Sequence, residues 1–116
     1  MAFARLYNLI FGKEIIQEAL IAYKYKFPDK ISVSIKPSQD GGYIVNINDL
    51  KGCITQAENG KEILGMVNDA LYAYLEIPRE YQPYMPVFFP CEEQGKQFNI
   101  EIPKQYLDKN LVFQKT

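Results

Sequence analysis

Few residues in this chain could do chemistry, and their types exclude more than they permit. The 116 residues include no histidine. Neither a Ser/His/Asp nor a Cys/His nucleophilic site can therefore be assembled, and no imidazole is available as a general base. The two cysteines, Cys53 and Cys91, lack metal-ligand spacing, and a Cys/His zinc site is impossible without histidine. Cys53 follows Gly52 with no activating group near it in sequence, so it reads as a buried, reduced structural thiol. Gly41-Gly42 leads into an alternating run instead of opening a helix, as a phosphate cradle would require, and Gly60 at a helix start stands alone. What remains is a set of carboxylates, Asp40, Asp49, Glu58 and Glu62, at expected turns and at a helix start. Asp40 suits a turn. Glu62 stands three residues after Asn59, where a capping-box acid could reach back to the cap's own amide. No catalytic residue, cofactor or metal ligand is expected, and the chain does not read as an enzyme.

The elements that place these acids lie between Ile31 and Glu76. Ile31, Val33 and Ile35 alternate with Ser32, Ser34 and Lys36; Asp40-Gly41-Gly42 interrupts; Tyr43, Val45 and Ile47 resume the alternation. This pattern predicts a β-hairpin with one buried face. Asp49-Leu50-Lys51-Gly52 is a second turn signal, and residues 53–57 suffice for a short third strand. From Lys61 to Glu76, Ile63, Met66, Val67, Ala70, Leu71 and Tyr74 recur at helical steps as one apolar stripe, and Pro78 sets a stop near Ile77. Phe98, Ile100 and Ile102 predict a fourth strand within 96–102, which could cross over to lie beside the first strand. Leu111, Val112 and Phe113 could dock or pair as a fifth.

One domain is the economical reading of this length: an N-terminal helical extension over 1–27, a β-β-β-α core over 30–77, a Pro/aromatic loop over 78–95 and a C-terminal strand region over 96–113. In the extension, Ile16, Ala19, Leu20 and Tyr23 share a helical face. Phe3, Leu6, Tyr7, Ile10 and Phe11 either pack on the chain's own core or grip a second copy. The loop carries Pro78, Pro83, Pro86 and Pro90, which exclude a regular helix and disfavour a central strand. Its Tyr81, Tyr84, Phe88 and Phe89 either cover the core or form a partner surface. Net charge is -1, from 13 basic and 14 acidic residues, and offers no general attraction to a nucleic-acid polyanion. No stretch approaches the ~18 apolar residues of a membrane span, and the N-terminus lacks a clear export signal, so a cytoplasmic protein is expected.

Within this core, Asp40-Gly41-Gly42-Tyr43, Asp49-Leu50-x-Gly52-Cys53-x-Thr55-Gln56, and Glu62 followed by Ala70-Leu71 and Tyr74-Leu75-Glu76 occur in order. In this the chain resembles the HicB family, the antitoxins of HicA/HicB toxin–antitoxin pairs and their stand-alone relatives. At the helix entry it departs from the family pattern, with Ala57-Glu58-Asn59 where members often carry Gly-Asp-Thr or Gly-Asp-Ser. The resemblance implies an α+β fold, a β-β-β-α-β sheet like a reduced ribonuclease H with one packed helix, here with an N-terminal helix added. It also implies a partner, a small RNA-cleaving HicA-type toxin with a basic surface that Asp40, Asp49, Glu58 and Glu62 could meet. Ribonuclease H enzymes hold two metals among convergent carboxylates; acids at turns are not expected to do this. The family's usual C-terminal DNA-binding segment has no counterpart in residues 103–116, so direct DNA binding is not expected. The alternative is a stand-alone homo-oligomeric scaffold or small-ligand binder.

Overall fold

Alternation on either side of a glycine turn produces the expected hairpin. The computed structural model describes residues 15–91, 102, 104–107 and 110–115. In it β1 (Lys30–Pro37) pairs antiparallel with β2 (Tyr43–Ile47), with Val33 opposite Ile47 and Pro37 opposite Tyr43. Ile31, Val33, Ile35, Val45 and Ile47 are buried on one face. The turn needs glycine at 42: φ is +72°, and an added Cβ would stand 2.5 Å from the Ala57 carbonyl oxygen. That close approach locks the hairpin against β3 (Ile54–Ala57), which pairs antiparallel with β2.

Next comes the helix entry. Asn59 Oδ1 accepts from the Lys61 and Glu62 amides at 3.0 and 3.3 Å, as an N-cap should. Glu62 reaches one residue beyond the cap's own amide, to the Glu58 N–H at 2.9 Å. A 3₁₀ turn, Gly60–Glu62, leads into α2 (Ile63–Tyr74). Beyond it Glu76 takes φ +55° and the Ile77 N–H bonds the Tyr72 carbonyl, closing the helix before Pro78. Lys26 Nζ donates to the Leu75 carbonyl at 3.1 Å, a cation at the helix C-terminus.

The face that α2 buries is rotated from the expected stripe. Ile63, Val67, Asn68, Leu71 and Tyr72 are buried, whereas Tyr74 is 43 % exposed. The reason is that chain segments pack on the Asn68/Tyr72 flank. Phe27 meets Tyr72 edge-on at 5.9 Å and lies 6.2 Å from Phe88. The Tyr72 hydroxyl donates to the Pro86 carbonyl at 2.9 Å. Asn68 holds the Phe88 backbone at both groups: Oδ1 accepts its N–H at 2.8 Å and Nδ2 donates to its carbonyl at 3.1 Å. The second Nδ2 proton goes to the Leu64 carbonyl at 2.8 Å. Among the described residues Asn68 is the one buried polar side chain in an otherwise apolar core.

The clipped segment is β4 (Phe88–Pro90), reached through a 3₁₀ turn over Arg79–Tyr84 that tolerates Pro83. β4 pairs antiparallel with β5 (Asn110–Lys115), and β5 with β1, so the five antiparallel strands run β3-β2-β1-β5-β4. The prolines thus allow a strand at the sheet's edge and none in its middle. Most of the strand expected over 96–102 lies outside the described residues; Ile102 is buried and not in a strand. The place beside β1 belongs instead to Leu111, Val112 and Phe113, running antiparallel, so the crossover expected there is not what joins it. α1 (Gln17–Tyr25) buries Leu20 and lays Tyr23 against Tyr81 at 5.0 Å, while Ile16, expected on its inner face, is exposed. Phe3, Leu6, Tyr7, Ile10 and Phe11 lie outside the described residues. No described helix is long and apolar enough to cross a membrane.

Three stability outcomes follow from this packing. Asn68→Ala strands two buried backbone groups and should cost about 2–4 kcal/mol in urea unfolding. Gly42→Ala should cost at least about 1–3 kcal/mol from positive φ alone, with the Ala57 clash added. Burial pushes the Cys53 thiol upward in pKa, and burial followed by Asp69 does the same for Tyr72. The unfolded chain ionises these groups first, so the stability they confer is full at neutral pH. It should be lost as pH rises through the folded-state values, above their ordinary 9.0 and 10.0. Thermal unfolding between pH 7 and 11 should show this decline, reduced in a Cys53→Ala/Tyr72→Phe variant.

Candidate functional site

The acids at the β1–β2 turn and at the helix entry meet at one end of the sheet. Gly42 brings the turn against the end of β3, and the Asn59 cap starts α2 at the same place, so Asp40, Glu58 and Glu62 line one open cleft of 410 Å³. Ser38, Tyr43, Gln56 and Met66 complete its wall, and no lysine or arginine is among the lining residues. Asp40, Glu58 and Glu62 are all solvent-exposed. One Glu62 oxygen is held by the Glu58 amide, which fixes the carboxylate's position while leaving its charge in water. Three carboxylates thus line one concavity with no lysine or arginine among its lining residues, a local acidity that the near-neutral net charge does not reveal.

Asp49 does not join them. It lies beyond the opposite end of β2, where its carboxylate accepts the Ser32 N–H at 2.6 Å and takes over the ladder from the backbone as Asn48 donates to the Ser32 carbonyl at 2.8 Å. Nearby, Asn48 Nδ2 reaches Ser34 Oγ at 2.8 Å and Asn110 Oδ1 at 3.1 Å, binding three strands across the open sheet face. Asp49 is therefore part of the fold's hydrogen bonding. Among the described residues no cluster of three or more Asp, Glu or Cys side chains converges as a metal site would require.

The four aromatic candidates divide in the same way. Tyr81 is buried, its hydroxyl accepting from the Ile16 N–H at 3.0 Å, and Phe88 is wholly buried beneath β4. Neither side chain is open to a partner; both serve the loop's covering role. Tyr84 and Phe89 are exposed. Cys53 is buried with its sulfur 3.9 Å from the Ala70 carbonyl, so it presents no accessible nucleophile, whereas Cys91 is exposed beside Gln114.

Sequence reasoning named the cleft's acids but not Ser38, Tyr43, Gln56 or Met66. Alternation placed Tyr43 on the buried face, and nothing local signalled that its hydroxyl would accept the Ile102 N–H at 2.9 Å, 59 residues away. Asn68 did leave a signal, as an amide one turn from Leu64 and Leu71 in a helix whose one charged residue is Asp69.

Two archaeal proteins are similar to this chain. A UPF0150 protein of Thermoplasma acidophilum is 37% identical over 57 residues, 49% of this chain and 83% of the relative. A UPF0150 protein of Archaeoglobus fulgidus is 34% identical over 53 residues, 46% of this chain and 77% of the relative. No family model and no solved structure matches. Most of each relative is thus matched by about half of this chain, and the chain belongs to the UPF0150 family, which is the HicB-like family.

Proposed function

We propose that this protein is an antitoxin-type interaction protein that binds and masks a small RNA-cleaving toxin of the HicA type. The observation that carries the reading is the cleft in which Asp40, Glu58 and Glu62 stand exposed with no basic residue in the lining. A protein that cleaves RNA must present cations to phosphates, and an exposed carboxylate group on a partner competes for those cations without chemistry of its own. Membership of the UPF0150 family, together with the HicB-like core motifs, supports a toxin as the class of partner. Of the aromatic candidates Tyr84 and Phe89 are exposed, but Phe89 lies on β4, at the sheet edge opposite β3, and neither lines the cleft.

The alternative is a stand-alone scaffold or small-ligand binder. The cleft's 410 Å³ lies within the range of ligand sites, but its acidic, open lining suits a cationic surface better than a mostly apolar ligand.

The test is chromatography with light scattering on the protein alone and mixed with the product of any small adjacent open reading frame, followed by RNA cleavage with and without the complex. We expect a stable hetero-complex that suppresses cleavage. The double variant Asp40→Asn/Glu62→Gln keeps the shape, and the new side-chain amide at position 62 retains an oxygen to accept the Glu58 N–H. It should weaken binding by about tenfold or more and flatten its salt dependence. A mixture that never associates, or a complex indifferent to the double variant, would contradict the proposal.

A further inference from the structure

The two edges of the sheet are built differently. On β4, Phe89 faces β5, so Phe88 and Pro90 direct their backbone groups outward. Asn68 occupies both groups of Phe88, and Pro90 has no N–H to offer. The β4 edge thus offers no free N–H for a ladder. On β3 the Ile47 N–H bonds the Cys53 carbonyl, which sets Cys53, Thr55 and Ala57 toward β2 and leaves Ile54 and Gln56 facing outward. The next outward amide, that of Glu58, is taken by Glu62. An open ladder two residues long remains, with nothing from its own chain on it among the described residues.

We propose that this ladder pairs with β3 of a second copy, antiparallel, across a two-fold axis beside Thr55. Ile54 then stands opposite Gln56 of the second copy and Gln56 opposite its Ile54, which satisfies the outward groups of all four residues. Charge favours a copy in this orientation. Lys51 precedes the strand and Glu58 follows it, both exposed, so antiparallel pairing brings each lysine end to the other copy's glutamate end. The helix layer agrees. The axis keeps both α2 helices on the same face of the joined sheet. The flank of α2 beside the open edge lines a groove of 510 Å³ with Asp69, Ala70, Ala73 and the exposed Tyr74, so the second copy's helix would face two alanines and a carboxylate there. Ile54, 59 % exposed in one chain, gains cover at the seam. The inference does not rest on the toxin reading.

The test is light scattering on the full chain across a dilution series, alone and as edge variants. The wild type should have the mass of two chains. Ile54→Lys sets a charge on the open edge, and Gln56→Pro removes an outward amide that no internal bond uses; each should abolish the dimer while keeping the wild-type thermal transition. Phe89→Lys on β4 should leave it intact. A wild type that is one chain throughout overturns the pairing, even if that monomer binds a toxin. So does a folded edge variant that remains dimeric, or dissociation by Phe89→Lys.

Discussion

The fold depends most on a single side-chain amide. Asn68 sits on the buried face of α2 and completes the hydrogen bonding of Phe88, which no neighbouring strand could do from that side. An amide in an apolar core is costly unless fully paired, and here both Nδ2 protons and the Oδ1 acceptor have partners. In return the Pro-rich segment after the helix is held to one path. With Tyr72 on the Pro86 carbonyl one helical turn further on, α2 clamps the chain where it turns into β4. β4 lies against β5 and β5 against β1, so the clamp fixes one side of the sheet.

The clamp also separates the molecule's surfaces. By occupying both outward groups of Phe88, Asn68 leaves β4 without a free N–H, and among the described residues β3 is the edge with free ladder groups. At the end of β3, Gly42 packs against Ala57 while Asn59 and Glu62 start the helix, and this gathers three of the four candidate acids. The acidic cleft and the open ladder are thus adjacent products of the same short strand. The two proposals draw on them differently, charge at the cleft and mainly backbone pairing at the edge, and they share Glu58, which lines the cleft and follows β3.

Local pattern made the hairpin, the third strand, the helix and the Asn59 cap legible, because alternation, glycine turns and capping spacing act over a few residues. What was not legible came from contacts distant in sequence. The buried face of α2 turns toward Tyr72 and away from Tyr74 because of residues 86–88. β5 takes the place beside β1 because of pairing some 80 residues apart, from Ile31 to Phe113. The candidate site shows the same limit. The acids were identifiable by type and position, but only the fold assigns Asp49 to Ser32 and brings Asp40 beside Glu58 and Glu62. Tyr81 and Phe88 look like their exposed neighbours Tyr84 and Phe89 in sequence, and only packing distinguishes them.

The most direct test of the clamp is amide hydrogen exchange at Phe88. Its N–H faces away from β5, so its protection depends on the Asn68 carbonyl oxygen. The amide should exchange as slowly as those of Val33 and Val45 in the core strands, through opening of the whole fold. Exchange at Phe88 as fast as at the exposed Tyr84 would show that the clamp does not hold the edge, and the account of the sheet would fail with it.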